Sequence, residues 1–239
     1  MQKQPLLKAL IKVGVGSRRQ LSTAIKEGRV SVNGDVVTDF NHPVGSEKDS
    51  ILLDGKSVDI KPQQLIYLML NKPKGVLSTV RDERGRPTVM DLLPVRYHRL
   101  RLYPVGRLDK ESSGLILLTN DGDLAYRLTH PRFEHEKEYL VKVKGVLKAA
   151  EIRRLENGTK LEDGKTSPAV VRKMESSDYN YSITIHEGKK RQVRRMFEVL
   201  GHPVIELKRI RIGKLKLGNL KEEKVREVGR GEIQVKTPL

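Results

Sequence analysis

The hydrophobic pattern changes near residue 60, and that change constrains the fold more than any other feature. Before it, Leu6, Leu7, Leu10 and Ile11 recur at helical spacing up to Gly14-Val15-Gly16. Ser17 stands where an N-cap belongs, ahead of a predicted helix over Arg18–Glu27 with Leu21, Ala24 and Ile25 on one face, closed by Gly28. Arg29–Val32 alternates as a strand, Asn33-Gly34 is a strong hairpin turn, and Asp35–Val37 returns. Ile51–Leu53 is a further short strand before a turn at Asp54-Gly55. The polar run Lys56–Gln64, with Pro62, reads as a linker.

Beyond it, short strands alternate with helices. Leu65–Leu70 reads as a buried strand, Asn71–Gly75 as a turn, Val76–Val80 as a continuing strand and Arg81–Arg86 as a charged loop. Leu115–Leu118 is a second buried strand, and Asn120-Asp121-Gly122 turns into a helix carrying Leu124 and Leu128 until Pro131. Glu138–Lys144 and Tyr181–His186 alternate as strands around a polar helix at Lys148–Asn157. Val193, Met196, Phe197 and Leu200 mark an amphipathic helix ended by Gly201, and Asn219–Leu239 is charged and partly strand. The fold class is α+β with a largely antiparallel mixed sheet flanked by helices. The domains divide as 1–60, a linker at 61–65, and 66–239.

Charge narrows the function. Forty-seven Lys and Arg against 30 acids give a net charge of +17, which points to a polyanionic partner, nucleic acid first. Leu65–Leu70 is too short to span a bilayer, so no membrane partner is expected. Met1–Pro5 shows no signal-like segment and cysteine is absent, which together point to the cytoplasm. The six histidines lack the spacing of a helical metal pair, and Arg19 occupies the third glycine position of a would-be dinucleotide loop, so no metal and no cofactor is expected. Without an exposed apolar seam, a monomer is the default.

One constellation stands out within this basic chain. Gly106-Arg107-Leu108-Asp109-Lys110 sets an acid between cations just ahead of the buried strand. Neighbouring cations favour a carboxylate's charged form, which suits a nucleophile or base. A loop salt bridge is the simpler reading of that spacing alone. The densest basic stretch, Lys189–Arg195, leads into the amphipathic helix and could face an anionic ligand.

The run GSRRQLSTAIKEGRVSVNG resembles the S4 RNA-binding domain. Four further blocks resemble the ribosomal-RNA pseudouridine synthases that carry an N-terminal S4 domain: NKPKGVLSTVRDERGRPTVMDLLP, GRLDKESSGLILLTNDGDLAYRLTHP, EKEYLV and EGKKRQVRRMFEVLGHPV. The resemblance implies isomerisation of uridine to pseudouridine in ribosomal RNA, more in the large-subunit than the small-subunit RNA, by base flipping and without a cofactor. Asp109 would be the essential carboxylate, either attacking a carbon or removing the C2′ proton. Tyr139 would stack on the detached uracil, and Arg107 would fill the place the uridine leaves. Lys189 would be the ion-pair partner of Asp109, with Arg191 as the alternative. RNA binding would fall to Lys12, Arg18, Arg19, Lys26 and Arg29 in the S4 part and to Arg191, Gln192, Arg194 and Arg195 in the rest. The partner would be ribosomal RNA, free or within a ribosome-assembly intermediate. The competing reading is a non-enzymatic S4-type RNA-binding or assembly factor. A glycoside hydrolase pairing Asp109 with Glu111 fits a strongly basic chain poorly.

Overall fold

A computed structural model describes residues 3–45, 48–61, 63–175 and 178–236. Pro62 of the expected linker and the last three residues of the C-terminal stretch lie outside it. The chain divides into two compact units, residues 1–65 with 120–122 and residues 66–119 with 123–239.

The first unit begins with β1 (Gln4–Pro5), α1 (Leu6–Lys12) and α2 (Arg18–Lys26). Ser17 caps α2 as its spacing predicts: its hydroxyl accepts from the Gln20 amide at 3.2 Å, and the Gln20 side chain accepts from the Ser17 amide at 3.0 Å. Then come β2 (Val30–Val32), β3 (Asp35–Val36), β4 (Pro43–Val44), β5 (Ile51–Leu53) and β6 (Lys56–Val58). A four-stranded sheet runs β3-β2-β5-β6, and β1 pairs with β4. Leu6, Leu10, Leu21, Ile25, Val30, Val44 and Ile51 fill the core beneath. The start of the expected linker is corrected: Lys56–Val58 is an edge strand on β5. Its polar side chains face solvent, which is how an edge strand hides its periodicity.

The second unit is built on a nine-stranded sheet. In chain order its elements are β7 (Tyr67–Lys72), β8 (Tyr103–Val105), β9 (Ser113–Thr119), α3 (Gly122–Thr129), β10 (Lys137–Val143), α4 (Ala149–Glu156), the small hairpin β11 (Lys160–Leu161) and β12 (Gly164–Lys165), β13 (Val170–Lys173), β14 (Tyr181–Ile185), α5 (Gln192–Glu198), β15 (Val204–Ile212), β16 (Leu215–Lys216) and β17 (Val225–Glu227). The strand order is β13-β14-β10-β15-β9-β7-β17, with β8 on β9 and β16 on β15. Every pairing is antiparallel except β9 with β15.

Both faces of the central strands are covered, which explains their unbroken apolar runs. Leu68, Leu70, Ile116 and Leu118 join one core cluster with Val141, Ile183, Met196 and Phe197. The alternate residues Tyr67, Met69, Leu115 and Leu117 join another with Leu124 and Leu128. Three local expectations change. Asn71 and Lys72 extend β7 instead of turning, because Asn71 and Lys72 pair with Leu115 and Gly114 of β9. Val76–Val80 forms no strand: Leu77 bridges Thr88, and the segment folds back to support the loop ahead of β9. The amphipathic helix is shorter than its apolar stripe, ending at Glu198. Among the described residues, no helix is long and apolar enough to cross a membrane.

Candidate active site

Asp109 sits half-buried in the loop between β8 and β9, and that loop is held from several sides. Its own turn closes by the Ser112 amide donating to the Asp109 carbonyl at 3.0 Å. Ser78 donates its hydroxyl to the Leu108 carbonyl at 3.0 Å and accepts from the Leu108 amide at 3.1 Å. Gly75 donates to the Lys110 carbonyl at 2.9 Å. Arg194, from α5, donates to the Glu111 carbonyl at 2.7 Å and to the Val204 carbonyl at 2.9 Å. Residues far apart in sequence thus fix the backbone on both sides of one carboxylate.

Lys72 completes this support from below. It is fully buried, and its ammonium donates to the carbonyls of Pro73 (2.7 Å), Val76 (2.8 Å) and Lys110 (3.4 Å). Burial pushes its pKa down to about 8, while Glu111 and then Asp109 pull it back up. Arg194 is likewise lowered by burial and by Arg191, against the opposite pull of Asp109 and Glu111. Two desolvated cations therefore brace the loop that carries Asp109.

Asp109 borders a cavity of about 740 Å³ whose lining includes Arg107, Ser112, Lys137, Tyr139, Lys189 and Arg209. Tyr139 lies on β10, 8% exposed, directly across from Arg209 on β15. A register shift between Glu138 and Tyr139 re-aims the strand at this point. Arg107 is exposed on the cavity lining beside Asp109. The walls are mostly apolar, with Leu108, Ile185, Val193, Leu207 and Ile212 among them. A few polar groups on an apolar wall are what a pocket for a flat, polar-edged ligand requires.

The basic stretch ahead of α5 differs from expectation in its partners. Lys189 lines the cavity, but its ammonium donates to the carbonyls of Asp163 (3.2 Å), Gly164 (3.4 Å) and Lys165 (3.2 Å), and no ion pair joins it to Asp109 among the described residues. Three carbonyls converging at the β11–β12 turn outcompete one carboxylate for it. Gln192 is buried, accepting from the Lys189 amide at 3.0 Å and donating to Glu187 at 2.6 Å. Arg194 is buried against the Asp109 loop, where sequence reasoning had it facing RNA. Arg195 forms a bidentate pair with Asp163 at 3.0 and 2.9 Å. Arg191 remains exposed, in a left-handed conformation with φ 51°.

In the first unit, Lys12, Arg18, Arg19 and Lys26 are exposed. Lys26 lies over the Phe40 ring at 5.8 Å. Arg29 is engaged by Asp54 at 2.6 Å and by Glu27 at 3.1 Å. Lys72, which braces the Asp109 loop, and Ser112, Lys137 and Arg209, which line the cavity, were not singled out from sequence. A signal existed for the last: Arg209 falls in phase with the buried Leu207 along an alternating strand.

The comparisons agree with this architecture. A family model for RNA pseudouridylate synthase matches residues 66–199, and one for the S4 domain matches residues 4–51. The chain is 42% identical over 233 residues to the ribosomal large subunit pseudouridine synthase B of Bacillus subtilis, covering 96% of this chain and 93% of that protein. It is 39% identical over 238 residues to a protein of the same name from Vibrio vulnificus, covering 98% of this chain and 72% of the other. A solved structure titled as a pseudouridylate synthase superposes with a TM-score of 0.67 at 32% identity, covering 96% of this chain and 97% of that one. The chain belongs to the RNA pseudouridine synthase family and carries an S4 domain.

Proposed function

We propose that the protein isomerises specific uridines to pseudouridine in large-subunit ribosomal RNA. The observation that carries this reading is a carboxylate, Asp109, fixed by its loop at the edge of a mostly apolar cavity that Tyr139 also lines. The names of the relatives favour the large subunit.

The reaction breaks the bond between uracil N1 and ribose C1′, turns the base and joins C5 to C1′. The C5 proton is lost and N1 gains one, so atoms balance without a donor or an oxidant. Asp109 works on the ribose side. Tyr139 offers its ring face to the detached uracil and its hydroxyl to the C5 proton. A stacked uridine is out of reach, so it is extruded at a cost of a few kcal/mol, roughly, as in other base-modifying enzymes. Arg107, exposed beside Asp109, fills the place it leaves. Lys189 and Arg191 add positive charge to the wall where the RNA backbone enters.

Residues 1–60 act as the RNA-binding module, 61–65 as the linker and 66–239 as the catalytic domain. Lys12, Arg18, Arg19 and Lys26 contact phosphates. The enzyme works in the cytoplasm as a monomer, on ribosomal RNA or on an assembly intermediate.

Pseudouridine mapping tests the reading, with wild type and Asp109→Asn incubated with both ribosomal RNAs and with assembly intermediates. A new large-subunit site with wild type alone is the expected result. A site appearing with both proteins, or with neither on any substrate, contradicts it.

A further inference from the structure

The cavity holds a buried cation that the proposed chemistry leaves unused. Along β15, Leu207 and Arg209 occupy the face set by their partners Val141 and Tyr139 on β10. An arginine in the phase of a buried leucine needs a reason to be there. Arg209 is 3% exposed and lines the cavity. Its Nε donates to the Leu115 carbonyl at 2.8 Å, while its Nη2 is buried with no hydrogen-bond partner among the described residues. Two residues further on, Arg211 is paired with Glu138 at 2.7 Å and Glu136 at 3.0 Å. The chain therefore supplies carboxylates to Arg211, and no ion pair is found for Arg209 among the described residues.

The neighbours of Arg209 share this character. Ser112, three residues past Asp109, is 1% exposed and lines the cavity, and its hydroxyl also has no partner among the described residues. Lys137 lies two residues from Tyr139 on the same face of β10, its ammonium donating to the Glu187 carbonyl at 3.4 Å. Burial first, and then the charge of Arg209, lowers its pKa to about 8. The closeness of β15 to the Asp109 loop is itself specified by sequence. Gly114 is the parallel partner of Arg209, and a Cβ there would clash with the Arg209 carbonyl oxygen. Only glycine lets the backbone of β15 at Arg209 come this near to the strand that follows Asp109.

We propose that Arg209, with Lys137 and Ser112 beside it, selects uracil by donating to the carbonyl oxygen at position 4 of the pyrimidine. This rests on the pseudouridine synthase reading and adds a substrate-selecting group to it. A guanidinium has donors only, and so does an ammonium. Uracil presents an acceptor at position 4, whereas cytosine presents an amino donor that would leave the guanidinium unpaired and set two donors against each other. A site built to hydrogen-bond one group rejects the analogue lacking it, because its own buried polar atoms are stranded. A base lying against the Tyr139 ring brings its polar edge to Arg209, the residue directly across the strand pair.

The test titrates uridine 5′-monophosphate, cytidine 5′-monophosphate and ribose 5-phosphate into the full-length protein. Wild type and Asp109→Asn are expected to bind the uridine nucleotide about tenfold or more tighter than the cytidine one. Arg209→Met is expected to lose that preference while keeping its affinity for ribose 5-phosphate. Arg209→Lys, which keeps the charge but not the fork, narrows the preference, and Lys137→Met, which removes the neighbouring donor-only group, narrows it as well. These two variants decide the matter if Arg209→Met fails to fold. No preference in wild type, or a preference unchanged in the Arg209 and Lys137 variants, overturns the proposal. Pseudouridine formation is read separately. A protein that selects uridine through Arg209 but modifies no RNA defeats the catalytic reading alone, and one that modifies RNA while Arg209→Met keeps the wild-type preference for the uridine nucleotide defeats this inference alone.

Discussion

The cations assigned to binding in the first unit and those around the Asp109 loop in the second are solvated in opposite ways. In the first, Lys12, Arg18, Arg19 and Lys26 stand in water on helices whose other faces are core. In the second, Lys72, Arg194 and Arg209 are buried and bonded to backbone carbonyls around the Asp109 loop and the strand that follows it. Exposed cations bind phosphate by releasing counterions, a sequence-independent attraction that salt weakens. Buried cations are screened much less, and they act on geometry and on the nearby carboxylate. On the proposed function, the exposed cations hold RNA and the buried ones shape the site.

The strongest way to break this division is Asp109→Asn. Single-turnover pseudouridine formation should fall by about a thousandfold or more, while RNA affinity stays within about twofold. A parallel loss of affinity would mean that Asp109 is part of the binding surface. Lys72→Met comes next. It strands the Pro73, Val76 and Lys110 carbonyls in the interior, and it should lower stability by about 2–4 kcal/mol in chemical denaturation and slow catalysis with it.

The exposed side gives smaller effects. Replacing Arg18 and Arg19 together by Ala should leave the rate at saturating RNA unchanged and flatten the slope of log affinity against log salt by about 1.5 to 2. The pH dependence of stability probes the buried side again. Lys137 and Lys72 each bind their proton less tightly folded, with pKa values of about 8, than an unperturbed lysine at about 10.4. Between those values the unfolded chain holds more protons, so stability should rise with pH through that window. Lys137→Met should remove about half of the rise, read from denaturation midpoints at pH 7.5 and roughly 10. Smallest is Ser17→Ala, which removes the α2 cap and should cost about 1 kcal/mol within the first unit.

What the sequence made legible follows the same boundary between local and distant interactions. In the first unit α1, α2, β2, β3 and β5 could be read, because their signals are local (Ser17 with Gln20, Asn33-Gly34, and the apolar face Leu21-Ala24-Ile25), whereas the short strands β1 and β4 and the edge strand β6 could not. In the second unit the strands were legible and their neighbours were not. Nothing near Gly114 announces that it meets Arg209, ninety-odd residues on, in a parallel pair. Lys72 looked like part of a turn because a lysine beside proline and glycine usually is one. Its burial is set by β9 and by the Lys110 carbonyl, which local pattern does not reveal. Arg194 looked like an RNA contact since it sits in a basic run, yet the apolar phase of Val193 and Phe197 turns it inward with them. Asp109 and Tyr139 were found through the family's motifs; spacing alone would have left them a salt bridge and a core tyrosine.

The most direct measurement is a salt titration of wild-type protein on one ribosomal RNA substrate, recording affinity and the single-turnover rate at saturating RNA together. If exposed cations hold RNA and buried ones shape the site, affinity should fall with a log–log slope of about −4 to −5, for about six phosphates, while the rate stays level. A rate that falls in step with affinity would contradict the division, because it would place the same solvated charges in both tasks.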